Sequence, residues 1–186
     1  ADGVSTSDEL LAALQRETQA IQGSNYQRGL LSPVDTLRRF MDYVVQAGEK
    51  RNNFISTGFP RLDDILGGGF IRGGLYILGA RPAVGKSTFS LNLADGIAGN
   101  LLFVSLEMSP EQILAKRVSR LTGYTASKLL SGQLPDKAWE AVAMATTSID
   151  KSGVYINSRY DLTVQEIHLL AQSVPELRCI ILDYLG

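Results

Sequence analysis

The sequence predicts an α/β fold, a parallel sheet with helices on both faces. Three observations carry this. Four short apolar runs, at 75–79, 101–106, 154–157 and 179–183, are near-continuous, the pattern of strands buried on both sides. Segments with helical spacing of apolar residues lie between them, and strands alternating with helices build parallel sheets. Two of those segments open on capping boxes, Ser109 with Gln112 and Thr163 with Glu166.

In chain order, residues 1–8 are small and polar and read as a loose terminus. Residues 9–22 place Leu10, Leu11, Leu14 and Ile21 at near-helical spacing, with Gly23 as a stop. A linker follows over 24–33. A second amphipathic helix over 34–47 uses Val34, Leu37, Phe40, Met41, Val44 and Val45, and Gly48 follows it. Each of these helices either packs on its own domain or docks on a neighbouring subunit. The second is nearer the core and is favoured for packing in cis, which leaves 9–22 as the better docking helix. Gly58, Gly67, Gly68, Gly69, Gly73 and Gly74 punctuate the approach to the strand at 75–79. A loop then leads into a helix over 86–97 and the strand 101–106. Pro110 takes the first helical position after Ser109, and Gly123 ends that helix. A helix over 136–149, the strand 154–157, a helix from the Thr163 cap to Ser173 and the strand ending in Asp183 complete the chain.

The 186 residues suffice for one domain with a real core plus some extra chain. The hydrophobic fraction of 45% and charged fraction of 20% are ordinary for a soluble globular protein. No run of 18 apolar residues spans a membrane, and no charged-then-apolar leader marks secretion. The single cysteine, Cys179, excludes an internal disulfide and fits a reducing, cytoplasmic setting. The net charge of −1 argues against a dedicated basic nucleic-acid module, so any DNA contacts lie elsewhere or on few residues. Ala1 in place of a methionine points to a processed or subcloned fragment.

The chemistry concentrates in one stretch. Ala80, Arg81, Pro82, Ala83, Val84, Gly85, Lys86 and Ser87 fit a phosphate-binding loop with Ala in place of its first Gly; Gly79 stands one residue earlier. An apolar run before it and a helical pattern after it supply the required context. In such a loop, backbone N–H groups wrap a phosphate, Lys86 bridges the β- and γ-phosphates of ATP, and the Ser87 hydroxyl holds Mg²⁺. Thr88 stands where a hydroxyl meets the α-phosphate. About 100 residues on, Ile180-Ile-Leu-Asp183 is an apolar strand ending in a carboxylate that would bind Mg²⁺. Glu107 follows the strand 101–106, where a carboxylate either polarises an attacking water or is an ordinary surface residue.

Thr57-Gly-Phe-Pro-Arg-Leu-Asp63 with Gly67-Gly-Gly69 resembles the opening segment of RecA-class motors. Ala80-Arg-Pro82 with Gly85-Lys86-Ser87, Ser105-Leu-Glu-Met-Ser109 and Asp183-Tyr-Leu185 resemble the set found in DnaB-type replicative DNA helicases. So do Gly132 and Leu134 before Trp139, Val154-Tyr-Ile156 and Leu162-Thr-Val-Gln-Glu-Ile167. The resemblance spans about residues 55–186. It implies a RecA-like ATPase core with Glu107 catalytic and ATP and Mg²⁺ as ligands. It further implies translocation on single-stranded DNA, duplex unwinding, a homo-hexamer, and primase and a helicase loader as partners. It divides the chain into a linker region, 1–54, and the first part of a motor domain, 55–186. It also implies that the sensor strand, DNA-contacting loops and arginine finger follow Gly186, leaving half an active site, slow ATP hydrolysis and a gap in the sheet between 75–79 and the Asp183 strand.

Two departures stand out. Gly186 replaces the family's usual Gln, and Gly67-Gly-Gly69 is closer to recombinases and KaiC-like ATPases. Together they suggest a divergent phage, plasmid or primase-linked branch. The alternatives are a recombinase- or KaiC-like ATPase, or a nucleotide-binding interaction module without catalysis. Among other residues, His168 reads as a surface residue, Trp139 as core, and Arg38-Arg39 and Lys50-Arg51 as solvated faces. Arg81 faces either nucleotide or a neighbouring subunit.

Overall fold

A computed structural model describes residues 30–49 and 53–183. The chain divides into two units, Ala1–Arg51 and Asn52–Gly186. In the first, helix α1 spans Pro33–Glu49, and Ser32 opens it by accepting the Asp35 N–H at 3.1 Å. Its stripe of Val34, Leu37, Phe40, Met41 and Val44 is exposed. The 9–22 helix lies outside the described residues.

The second unit holds β1 (Phe54–Ile55), α2 (Pro60–Ile65), β2 (Phe70–Ile71), α3 (Lys86–Gly96), β3 (Leu101–Ser105), α4 (Pro110–Thr122), α5 (Ala126–Ser131), α6 (Ala138–Asp150), β4 (Val154–Asn157), α7 (Val164–Ser173) and β5 (Cys179–Asp183). Strands β4, β3 and β5 form a parallel sheet in that order, with Leu101 opposite both Val154 and Cys179. Every residue of the central strand β3 is buried. Leu101 and Phe103 pack with Leu91 and Ala94 of α3 and Ile113 of α4. Leu102 and Val104 pack with Val174 and with Leu170 of α7. The continuous apolar run of β3 therefore reflects helices on both faces, as expected, whereas β4 and β5 at the edges are partly exposed. Both capping boxes form, and Gly123 ends α4 with φ 76°. Among the described residues no helix is long and apolar enough to cross a membrane.

Two expectations are corrected. The run 75–79 is not a strand, and Leu75 and Ile77 are each 89% exposed. A strand needs a neighbour for its N–H and C=O groups. The sheet ends at β5, which pairs only with β3, and no described segment pairs with 75–79. Trp139 is not core; it is 56% exposed, while α6 buries the small Ala138 and Ala145 instead. Helical spacing marks a stripe, and packing decided that alanines are the buried residues of a helix that lies against α4.

The short pair β1–β2, antiparallel with Phe54 opposite Ile71, was not expected from the sequence. It gives the glycine run a packing role: a Cβ at Gly69 would come within 2.5 Å of the Ile55 carbonyl oxygen.

Candidate functional site

Residues 80–85 precede α3. Ala83 (φ 63°) and Gly85 (φ 106°) are left-handed on either side of Val84, whose N–H donates to the Arg81 carbonyl at 3.3 Å. A non-glycine residue in this region costs about 1–2 kcal/mol, and strain of this kind gathers where a ligand is held. Left-handed residues alternating with ordinary ones turn successive N–H groups into one concavity that suits an anion. Gly85 is the N-cap of α3; no side chain caps the helix and no acidic residue sits in its first turn. Its leading N–H groups and positive dipole end are thus offered to the loop. Lys86 and Ser87 are half-buried; Ala80, Arg81, Pro82, Val84 and Thr88 are exposed.

Both candidate carboxylates lie at the carboxyl end of the sheet. Asp183 ends β5 opposite Ser105, the last residue of β3. It is only 2% exposed, and among the described residues its Oδ2 has no hydrogen-bond partner. A buried carboxylate oxygen left unpaired is costly unless something else satisfies it. Leu106 N–H donates to the Asp183 carbonyl at 2.9 Å, and Met108 N–H donates to Ser105 Oγ at 2.9 Å. Glu107 stands between these two tethers, exposed.

Connectivity brings the loop to the same end. Four residues, 97–100, join α3 to the start of β3. Helix α3 packs along the strands, so it runs back antiparallel to β3. Its 11 residues extend about 16 Å at 1.5 Å per residue. The five residues of β3 extend about 17 Å. The loop, Lys86 and Ser87 therefore lie over the ends of β3 and β5, where ligands bind in open α/β sheets.

The other end of α3 is tied down twice. Asp95 Oδ1 accepts from Arg117 Nε and Nη2 of α4 at 2.9 and 2.5 Å, and Asp95 Oδ2 accepts from Arg120 Nη2 at 2.6 Å. Arg117, buried to 2%, also donates to Ser152 Oγ at 2.7 Å. This cluster lines a groove of about 280 Å³ with Thr88, Asn92 and Lys116. In addition, Gly96 lies against the turn at Thr57 and Gly58, where a Cβ on Gly58 would fall 2.5 Å from the Gly96 Cα. Asp63 holds that turn by accepting from Thr57 N–H at 2.8 Å, Thr57 Oγ1 at 2.6 Å and Ser56 Oγ at 2.6 Å. Burial pushes its carboxyl up, but these three hydrogen bonds outweigh that and hold it below its ordinary value.

Asp95 and Arg117 were not singled out in the sequence, because nothing in their spacing says which helices will face each other; Ser105 was read only as part of the Ser105-Leu-Glu-Met-Ser109 motif, with no role of its own. His168 is exposed, 3.0 Å from Gln172 on its own helix, as read from the sequence. Arg81 is exposed on the loop.

A family model described as the DnaB-like helicase C terminal domain matches residues 54–186. The replicative DNA helicase DnaC of Bacillus subtilis (strain 168) is 30% identical, over 99% of this chain and 43% of its own length. The replicative DNA helicase DnaB of Helicobacter pylori (strain ATCC 700392 / 26695) is 29% identical, over 96% of this chain and 38% of its own length. The chain thus spans less than half the length of these relatives. Among solved structures, one described as an ATPase domain superposes with a TM-score of 0.68 at 22% identity, covering 80% of this chain and 57% of that one. A DnaB-like replicative helicase, described with its interactions with primase, gives 0.65 at 20% identity over 91% and 47%. At these identities the likeness is one of fold, the RecA-like ATPase core.

Proposed function

We propose that this chain, which belongs to the DnaB-like helicase C-terminal domain family, carries the nucleotide-binding part of a replicative helicase motor. That motor hydrolyses ATP to move on single-stranded DNA and unwind duplex. Ala80, Arg81, Pro82, Ala83, Val84 and Gly85 form the loop around the phosphates, which offers backbone N–H groups at positions other than Pro82, which has none, and Val84, whose N–H closes the turn onto Arg81; Lys86 neutralises the phosphates and Thr88 adds a hydroxyl. Ser87 and Asp183 hold Mg²⁺, which when bound neutralises charge on the β- and γ-phosphates. Glu107 orients and polarises the attacking water. Residues 1–54 form a linker region, and 55–186 the first part of the motor domain. The full protein works as a cytoplasmic homo-hexamer, with primase and a helicase loader as partners.

One observation carries this reading: the buried Asp183 Oδ2, without a hydrogen-bond partner among the described residues, stands one strand from the Glu107 turn, at the sheet end onto which α3 opens with no side-chain cap. The donor set fits a hard cation, which takes carboxylate and hydroxyl oxygens. The test is Glu107→Gln in the full-length protein. Gln keeps the size but takes no proton, so ATP binding holds while turnover falls by roughly 10²-fold or more. Binding lost with turnover per bound ATP unchanged would make Glu107 structural.

A further inference from the structure

We propose that Ser105 is the positioning residue for Glu107. The inference rests on the functional reading above. Leu101, Leu102, Phe103 and Val104 are apolar and buried, and Ser105 ends the strand as a fully buried hydroxyl. A buried hydroxyl is costly unless it is hydrogen-bonded. Here Ser105 Oγ accepts the Met108 N–H at 2.9 Å, three residues on. That bond closes a turn around Leu106 and Glu107. On the other side, Leu106 N–H carries the ladder one residue past the strand, to the Asp183 carbonyl at 2.9 Å. The backbone on both sides of Glu107 is therefore tethered, once to the strand that ends in Asp183 and once to Ser105. Ser105 is also the register partner of Asp183, and side chains at paired positions of parallel strands share one face.

The hydroxyl thus fixes where the Glu107 side chain originates relative to Asp183. It touches no reacting atom and acts through the turn. Misplacement of a catalytic group by about 1 Å costs roughly 10²-fold in rate, so a short tether of this kind has leverage on turnover and little on binding.

The test compares Ser105→Ala, Ser105→Thr and Glu107→Gln, singly and combined, in the full-length protein, with ATPase kinetics and thermal melts. Ser105→Ala lowers kcat about 10- to 100-fold with the KM for ATP nearly unchanged, and Ser105→Thr, which keeps the acceptor, restores most of it. In the Glu107→Gln background Ser105→Ala adds less than about twofold, because the residue it positions is already silent. Should Ser105→Ala not fold, Ser105→Cys, similar in size but a weak acceptor, carries the same comparison. An unchanged kcat, a rise in KM alone, or an equal fractional loss in both backgrounds overturns the proposal. A fully active Glu107→Gln overturns the functional reading itself, whereas an inactive Glu107→Gln beside a fully active Ser105→Ala overturns only the role of Ser105.

Discussion

Lys86 stands in the first turn of α3, next to a loop whose strained Ala83 and left-handed Gly85 gather backbone N–H groups. Charge-assisted contacts to phosphate are the strong ones, and in this loop a lysine acts as a point charge. Lys86→Ala is expected to abolish nucleotide binding or turnover in the full-length protein; near-normal ATPase from a correctly folded variant would remove the phosphate-loop assignment. Asp63 works differently, by holding a turn. Thr57 is fully buried, and its N–H has Asp63 as acceptor. Asp63→Ala leaves that N–H unsatisfied and is expected to cost about 1–3 kcal/mol at neutral pH, read by denaturant titration. The sign of the pH dependence follows from the carboxyl's lowered folded-state pKa. The hydrogen bonds to the carboxylate contribute fully above the ordinary, unfolded pKa and are lost as pH falls through the lower folded value. The gap between wild type and Asp63→Ala therefore narrows on acidification through that range, and a gap that widens there would contradict the assignment. Both residues were readable in the sequence as motif positions. The role of Asp63 was not, because the motif does not say that its turn meets Gly96.

At the scale of elements, α3 and α4 are joined by one carboxylate and two guanidinium groups of unequal burial. The Arg117 side chain is 1% exposed and that of Asp95 9%, whereas that of Arg120 is 44% exposed. Breaking a buried pair leaves a buried charge uncompensated, at about 3–5 kcal/mol, while an exposed partner contributes about 0–1 kcal/mol. Asp95→Ala, which strands Arg117 with Ser152 alone, is therefore expected to destabilise the protein several times more than Arg120→Ala. Equal losses in thermal or denaturant unfolding would show that burial does not set the strength of this cluster. Local signals located the elements themselves well. Ser109 and Thr163 cap their helices through the boxes visible in the sequence, because capping is decided within four residues. Trp139 was misplaced because helical spacing is silent on which stripe finds a partner.

For the molecule as a whole, stability is uneven. Strand β3 is central, buried throughout and paired on both sides. Residues 75–79 are equally apolar yet pair with no described segment, with Leu75 and Ile77 open to solvent. Hydrogen exchange in the 186-residue chain is expected to be fast at 75–79 and slowest at 101–105. Protection at 75–79 matching that of β3 would mean that a partner strand forms there in solution. The same contrast separates the two kinds of information. Residue order by itself determined the alternation of strands and helices from residue 86 onward, the caps, the loop over 80–85 that leads into Lys86 and Ser87, and the placing of Glu107 and Asp183 just at or beyond strand ends. These depend on local sterics, short-range hydrogen bonds and the periodicity of apolar residues. Only the tertiary structure decided that Asp183 is buried with an oxygen unpaired among the described residues, that Ser105 stands opposite it, and that Asp95 pairs with Arg117 across two helices. It also decided that no described segment forms a ladder with 75–79. Register between strands and the facing of helices are set by packing among residues far apart in the chain, and pairing needs a neighbour that no local pattern can supply.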